Sequence, residues 1–337
     1  LQAALRSDAE RQLQPYVAEV SEANPDQFPF SDLWLPAVDV FVDRLRSSLV
    51  DLQHRSIDDR VYLSLGRSLL TRLSKISEQV LFEQFNLQRP PGAMLLAHLG
   101  SDGDGEGPPV REYYERFIRE QRRDGLVKLL ETFPVLRRYL GQVCGDWHRA
   151  NEMLLRRIDA DWIPLQKLFG VGPCMVLSRV HQGLSDPHNH GQVVSILLFA
   201  EVDGTSAVQV VYKPKDMGVD LVYQQALDHL NRVSSLTPLR SLQIHCGHDY
   251  GFMEYVEHRL CSGDDEQECF YRNAGRLTAV LHLLGCTDCH HENLIACGDQ
   301  LLLIDTETLL EADLSDHVSD ASDQQTTLTQ SDLQKSF

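Results

Sequence analysis

Apolar residues recur at helical spacing through the first half of this 337-residue chain. Such spacing places apolar side chains on one face of a helix. Two sets show it, at Leu33, Ala37, Val40, Phe41 and Leu45, and at Leu65, Leu69, Leu70, Leu73, Ile76 and Val80. We therefore predict a largely helical region at residues 1–168. A loop rich in Gly, Asp and Pro interrupts it at residues 101–109.

The pattern changes near Phe169, where two glycines and a proline follow within four residues. Short apolar runs then predict strands at residues 174–180, 193–199, 208–212, 242–246 and 251–256. Helices are predicted at residues 219–233 and 270–284, and a hairpin at residues 294–304. We predict an α+β fold, with a core at residues 169–310. Its sheet occupies residues 170–256, and a further region occupies residues 270–310.

The composition narrows the classes of function. The chain has 31 Lys and Arg against 49 Asp and Glu, a formal net charge of −18. This acidity argues against a nucleic-acid partner and against binding to an anionic membrane. Apolar residues make up 42% of the chain, enough for a sizeable core. No stretch of about 18 apolar residues is present, so we expect no membrane span.

The ends of the chain bear on its origin and location. The sequence starts at Leu1 and shows no signal peptide, so we expect a cytoplasmic piece of a longer protein. Its eight cysteines are spread widely, which argues against a disulfide scaffold. Residues 311–337 lose the apolar pattern and are rich in Asp, Ser, Thr and Gln. We expect this acidic tail to be disordered, or truncated from a helical domain.

Three segments carry residues typical of a phosphotransferase. The first is the predicted strand 208–212, which delivers Lys213. A lysine on a rigid strand can be held against two phosphate oxygens of a nucleotide. Taken alone this signal is weak, because most lysines that end strands are merely solvated.

The second and third segments supply carboxylates and an amide. Asp288 and Asn293 stand five residues apart after a long apolar helix, as in kinase catalytic loops. There the carboxylate accepts the proton of the attacking hydroxyl, and the amide oxygen suits Mg²⁺. Asp305 and Glu307 follow the next apolar strand. We predict Asp305 as a Mg²⁺ ligand, with Glu307 on the same side if strand geometry persists. This order of segments predicts a kinase-like core that uses ATP and Mg²⁺.

A polar segment at residues 181–191 lies between two predicted strands, where a kinase has its glycine-rich loop. It holds Asp186, His188 and His190 but lacks the G-x-G-x-x-G phosphate cradle. Two interpretations stay open. The segment is either a polar hairpin tip or a loop that adds acid and base groups beside the phosphates.

Together these segments resemble the dehydratase domain of class II, LanM-type lanthipeptide synthetases. The motifs that carry the resemblance are S-D-P-H-N-H-G at residues 185–191, V-V-Y-K-P at 210–214, Y-G-F-M-E-Y at 250–255, T-D-C-H-H-E-N at 287–293 and I-D-T-E-T-L at 304–309. Residues 133–138 and 144–147 resemble the helical region that precedes that core. The resemblance covers about residues 60–310.

The resemblance implies a lipid-kinase-like core that transfers the γ-phosphate of ATP to Ser or Thr of a leader-bearing precursor peptide. This is the first step of dehydration to dehydroalanine or dehydrobutyrine. It implies that Lys213 and Glu307 bind ATP phosphates, that Asn293 and Asp305 bind Mg²⁺, and that Asp288, His290, Asp186 and His188 are catalytic. It also implies a LanC-like cyclase domain as a partner, which is absent from this chain.

Three departures from the family pattern limit these implications. Pro187 replaces the family's usual Ser or Thr and stiffens the loop. The Arg and Thr that the family uses to eliminate phosphate lie downstream of the D-x-E motif, beyond Phe337. The predicted helix 219–233 contains no Glu, so it supplies no protein-kinase-type Lys–Glu pair. We therefore expect phosphorylation, with elimination left open.

Other functions remain open. One is a kinase-like module that only binds the precursor peptide, with the helical region as the dock. Another is a small-molecule kinase on the same core. Cys286, Cys289, His290 and His291 invite a zinc site, but no second pair of ligands follows at a suitable spacing. A thioredoxin-like redox site would have to open a helix.

The tryptophans, three of the histidines and one acidic run are interpreted as structural rather than functional. Trp34, Trp147 and Trp162 lie on apolar helical faces and are predicted to be core. His245, His248 and His258 are interpreted as surface or core-edge residues. The acidic run at residues 264–266 is interpreted as a solvated turn.

Overall fold

The computed structural model describes residues 28–52, 57–88, 110–183 and 185–310. The predicted loop at residues 101–109, the tail at 311–337 and the start of the helical region lie outside the described residues. The chain divides into two compact units. The first comprises residues 1–217 and 242–255, and the second comprises residues 218–241 and 256–337.

The first unit opens with helices, as the apolar spacing predicts. They are α1 Ser31–Ser48, α2 Asp59–Leu87, α3 Val110–Glu120, a π-helical turn at Gln121–Gly125, α4 Leu126–Thr132, α5 Pro134–Ala160 and α6 Trp162–Phe169. Local chemistry sets two of the helix starts. The side chain of Asp58 caps α2 by accepting the N–H of Arg60 at 2.8 Å. Pro134 opens α5, where its missing N–H leaves no bond unmade.

The three tryptophans lie in the core of this unit, which confirms that prediction. The indole N–H of Trp34 donates to Ser77 Oγ at 2.9 Å. The indole N–H of Trp147 donates to the backbone oxygen of Leu65 at 3.1 Å. Both donors are therefore paired where water is excluded. The second of these bonds joins α5 to α2.

A five-stranded antiparallel sheet completes the first unit. Its strands are β1 Met175–His181, β2 Ser195–Glu201, β3 Ala207–Lys213, β4 Ile244–Cys246 and β5 Gly251–Glu254, in the order β1-β2-β3-β5-β4. Their bounds fall within two residues of the predicted ones. Helices together with an antiparallel sheet confirm the α+β fold class.

The described part of the second unit contains two helices and a hairpin. These elements are α7 Gly218–Val233, α8 Asp264–Leu283, β6 Leu294–Cys297 and β7 Gln300–Leu303. The predicted hairpin is confirmed, and Gly298 in its turn has a φ of 60°, which a glycine adopts without strain. A small core of its own holds the unit together, with Tyr223, Leu227, Leu277, Leu281 and Leu303 among its members.

The start of α8 corrects one interpretation. Residues 264–266 form the first turn of this helix rather than a solvated turn, so α8 starts six residues before the predicted position. Carboxylates are favoured there because they face the positive end of the helix dipole. Glu266 also accepts hydrogen bonds from the backbone N–H and the hydroxyl of Ser262, at 2.5 and 2.6 Å. Apolar spacing alone carries no such signal.

His245 is half-buried, and His248 and His258 are exposed, as predicted. Within the described ranges, no helix combines the length and apolar character needed to cross a bilayer.

Leu70 and Leu87 allow a matched test of the core. Leu70 is fully buried in α2, whereas Leu87 ends the same helix with 77% of its surface exposed. We expect Leu70→Ala to lower the free energy of unfolding by about 2–5 kcal/mol, because it leaves a cavity. Leu87→Ala should change it by less than about 0.5 kcal/mol. Urea denaturation of both variants measures the difference, and equal losses would contradict the assigned core.

The Glu266 carboxylate predicts a pH dependence for the second unit. Hydrogen bonds from Ser262 and the Arg259 guanidinium lower its pKa from 4.5 to about 2. A lowered pKa means that this contribution to stability is complete above about pH 4.5 and is lost as the pH falls towards 2. The difference in unfolding free energy between the unaltered chain and Glu266→Gln should therefore shrink over that window. Glu268→Gln, on the same helix, controls for the loss of one charge. If this difference in unfolding free energy stayed constant between pH 4.5 and 2, the Glu266 carboxylate would not be the source of the pH dependence.

Candidate functional site

Lys213 occupies the last position of β3 and exposes only 5% of its surface. It is therefore not one of the solvated lysines that commonly end strands. In the sheet it pairs with Gly251 of β5. A Cβ at Gly251 would lie 2.6 Å from Met217 Sδ and 2.7 Å from the backbone oxygen of His245. Only glycine lets the backbones approach this closely beside Lys213, which gives the glycine of the Y-G-F-M-E-Y motif a physical reason.

The segment between β1 and β2 forms a tight hairpin tip. His188 and Gln192 exchange two backbone hydrogen bonds, each of 2.9 Å. Between them Asn189 and His190 have positive φ angles of 39° and 63°, followed by Gly191 at 89°. A Cβ at Gly191 would lie 3.0 Å from the Cβ of Asp146 on α5, so the tip packs closely on that helix.

The candidate side chains of this tip are open to solvent. Asp186 and His188 are both exposed, so each is accessible to a ligand. At the base of the segment, Ser185 Oγ accepts the N–H of Val194 at 3.0 Å. The polar-tip interpretation describes the backbone of this segment, and the exposed acid and imidazole keep the catalytic interpretation open.

Arg157 of α5 is a residue of this unit that the sequence motifs missed. Its guanidinium donates to Tyr212 Oη and to Asp249 Oδ1, both at 2.6 Å, and to Gln192 Oε1 at 3.4 Å. It also lies over the ring of Tyr250, 4.2 Å from the centroid. No local signal in the sequence separated Arg157 from the adjacent Arg156, because both stand between Leu155 and Ile158.

In the second unit, the segment after α8 brings three predicted residues together. The side-chain amide of Asn293 donates to the carboxylate Oδ2 and to the backbone oxygen of Asp288, both at 3.1 Å. His290 Nε2 lies 3.3 Å from Asp288 Oδ1. The side chains of Asp288 and His290 are about half exposed. A carboxylate, an imidazole and an amide thus share one accessible loop.

The hairpin β6–β7 returns the chain to this loop. The backbone oxygen of Asn293 accepts the N–H of Ile304 at 2.9 Å. Asp305 therefore follows directly after a residue that is bonded to Asn293. The structure corrects the argument for Glu307, because β7 ends at Leu303 and the two-residue strand period does not extend to it. Instead, Asp305 Oδ1 accepts the N–H of Glu307 at 3.3 Å, and the Glu307 side chain is exposed.

Thr308 lies within the I-D-T-E-T-L motif, but the sequence analysis assigned it no role. Its Oγ1 accepts the backbone N–H of Asp288 at 3.2 Å and lies 3.7 Å from Cys286 Sγ. The hydroxyl therefore joins the segment after β7 to the loop that carries Asp288. A threonine three positions past Asp305 was the available signal, but no local rule assigns it a partner twenty residues away.

The cysteines of the same loop bear on the zinc interpretation. The Cys289 thiol donates to Cys286 Sγ at 2.9 Å. Burial, the bond to Cys286 and the charge of Asp288 raise the pKa of Cys289 to about 11. This pKa is that of the thiol without a metal ion, and a bound zinc ion would itself favour the thiolate. The zinc interpretation therefore depends on how the ligands are grouped. In the described part of the chain, no three His, Cys, Asp or Glu side chains are grouped to hold a metal ion.

The available donors fit a different kind of metal site. Asn293 uses its amide nitrogen on Asp288, so the amide oxygen is the atom left to act as a ligand. Asp305 adds carboxylate oxygens in the neighbouring segment. Oxygen donors in small number suit Mg²⁺, which commonly takes one or two protein ligands and completes its shell with substrate phosphates and water. The donor set is thus compatible with Mg²⁺ that arrives with a nucleotide.

Comparison with known proteins was consistent with the sequence motifs. The family model described as Domain of unknown function (DUF4135) matches residues 133–337, which is more than half of the chain. The chain is also similar to the lacticin 481/lactococcin biosynthesis protein LcnDR2 of Lactococcus lactis subsp. lactis. The two are 24% identical over 216 residues, which is 60% of this chain and 22% of that protein. The chain therefore spans about a fifth of that relative. These matches confirm the predicted resemblance to lanthipeptide synthetases, and the chain belongs to the DUF4135 family.

Proposed function

We propose that this chain phosphorylates Ser or Thr of a lanthipeptide precursor peptide with ATP, as the first step of dehydration. The observation that carries the proposal is the loop in which Asn293 bonds the Asp288 carboxylate, tied through Ile304 to the segment of Asp305. A carboxylate that can accept a proton and oxygen donors that suit Mg²⁺ lie in adjoining segments. This is the set of groups that phosphoryl transfer requires.

Asp288 is the proposed proton acceptor. The peptide hydroxyl attacks the γ-phosphorus of ATP, the bond from that phosphorus to the β–γ bridging oxygen breaks, and ADP leaves. The hydroxyl proton passes to the Asp288 carboxylate. The bond from Asn293 holds that carboxylate in one orientation, and His290 lies 3.3 Å from its other oxygen.

Other residues have roles in binding and neutralising phosphate. Asn293 and Asp305 would hold Mg²⁺ through their side-chain oxygens, and the ion would supply positive charge to neutralise the phosphates. Lys213 binds nucleotide phosphate, because an ammonium at the end of a paired strand is held in place by the sheet. Glu307 is also assigned to the ATP site, where it presents an exposed carboxylate close in sequence to Asp305. Asp186 and His188 supply an acid and an imidazole on the hairpin tip.

The proposed substrate class rests on the similarity to a lacticin 481/lactococcin biosynthesis protein. We propose a leader-bearing precursor peptide as the substrate and a LanC-like cyclase domain as a partner. The kinase-like core is part of the same proposal, and the antiparallel sheet followed by a helix and hairpin is compatible with it.

Asp288→Asn tests the proton acceptor directly. We expect phosphorylation of a precursor peptide to fall by about 10²–10⁴-fold, because the amide cannot accept the proton. ATP binding should change little, since the oxygen of the substituted amide can still accept the bond from Asn293. Asp299→Asn, in the turn of β6–β7, is the matched control. Peptide mass spectrometry after incubation with ATP and Mg²⁺ measures turnover. Unchanged turnover in Asp288→Asn would refute the assignment.

The same assay separates the candidate functions. A gain of one phosphate group on the peptide supports the kinase step, and a loss of one water supports the complete dehydratase. A peptide that binds but keeps its mass would leave only a binding module. Phosphorylation of a small molecule instead of the peptide would point to a different kinase.

Thr308 provides a test of how the loop is held. Thr308→Val keeps the side-chain shape but removes the oxygen that accepts the Asp288 N–H. We expect the rate to fall by roughly three- to tenfold, which corresponds to about 0.5–1.5 kcal/mol for one hydrogen bond. Thr308→Ser retains the hydroxyl and should keep most of the activity. If Val and Ser variants turn over equally, the hydroxyl has no part in holding Asp288.

A further inference from the structure

Arg157 connects α5 to both segments that carry candidate residues in the first unit. Its guanidinium donates at 2.6 Å to the hydroxyl of Tyr212, the residue directly before Lys213. It also donates at 3.4 Å to Gln192, which closes the tip that carries His188. The planar guanidinium can reach several acceptors at once because its N–H groups point in fixed directions.

The tip depends on support from outside itself. Asn189 and His190 both have positive φ angles, which residues other than glycine rarely adopt. Such a backbone persists only where surrounding contacts hold it. Gln192 supplies a part of that support, because its side-chain amide donates to the backbone oxygen of Asn189 at 3.0 Å. The other end of the same amide accepts from Arg157.

The strand side of the contact is buried. Tyr212 exposes 3% of its surface, and burial raises the pKa of its hydroxyl, so the oxygen is a neutral acceptor for Arg157. Asp249 balances the positive charge at 2.6 Å, and the Arg157 side chain itself is 10% exposed. A hydrogen-bonded cation at this depth is costly to displace, so its position is well defined.

We propose that Arg157 is a positioning residue that fixes the tip bearing Asp186 and His188 relative to the end of the strand bearing Lys213. The inference rests on the proposed function for its effect on turnover, but its structural content does not depend on catalysis. Arg157 does not touch the candidate groups themselves. It acts through Gln192 and Tyr212, each of which adjoins one of them.

The neighbouring residue offers a matched control. Arg156 lies on the same helix and is also multiply bonded, to Asp51 at 3.1 and 3.2 Å and to the backbone oxygen of Ser48 at 2.6 Å. These partners belong to the α1 side of the unit and none of them adjoins a candidate residue. Arg156→Met and Arg157→Met therefore remove the same chemistry from adjacent positions.

The experiment has two measurements on the full chain. Hydrogen exchange of the backbone N–H groups of His188 and Gln192 reports whether the tip is held, because these two groups close it. We expect their exchange to rise about tenfold or more in Arg157→Met and to stay unchanged in Arg156→Met. Phosphorylation kinetics should show kcat lowered by about 10–100-fold in Arg157→Met, with the KM for peptide within about threefold.

Arg157→Lys distinguishes geometry from charge. Lysine keeps the positive charge but lacks the planar fork, so it should behave like Arg157→Met in both measurements. Full rescue by lysine, exchange that does not change at the tip, or equal exchange in the Arg156 and Arg157 variants would overturn the proposal. A wild-type chain that fails to phosphorylate peptide would refute the proposed function instead, and the exchange measurement would still decide the role of Arg157.

Discussion

The packing of α5 against α2 is the constraint on which the first unit depends. Burying Leu140, Trp147, Leu154 and Ile158 on one face fixes the rotation of α5 about its axis. This rotation also fixes the positions of the polar residues of α5, and those that are buried need hydrogen-bond partners. Asn151 accepts a bond from Gln182 at 2.9 Å. The segment after β1 is therefore placed by the helical region as well as by the sheet.

The second unit organises its candidate residues differently. The contacts among Asp288, His290 and Asn293 join residues that are at most five positions apart in the sequence. The loop therefore largely determines its own shape. Longer-range contacts come from the hairpin that follows, through Ile304 and Thr308. The two units thus present candidate groups on different kinds of support. In the first unit the support is a helix, α5, that contacts residues far away in the sequence. In the second unit it is a short loop closed by a hairpin.

The sequence predicted what local patterns determine. Strand bounds fell within two residues because each strand coincides with a short apolar run. The Asp288–Asn293 contact lies within one loop. Arg157 escaped because its partners Tyr212 and Asp249 lie 55 and 92 residues away. The burial of Lys213 escaped for the same reason, since a terminal strand position does not reveal what covers it. The start of α8 was missed because charge at a helix end, rather than apolar spacing, defines it.

The hairpin β6–β7 is attached at both of its ends. At the open end Asn293 bonds Ile304, and at the tip the N–H of Gly298 bonds the backbone oxygen of Arg259 at 2.9 Å. The Arg259 guanidinium also occupies the space where a side chain at Gly298 would begin, so it packs directly against the tip. Inserting or deleting a residue between these anchors would detach one of them. The two attachments thus fix the length of the hairpin, and with it the number of residues between Asn293 and Asp305.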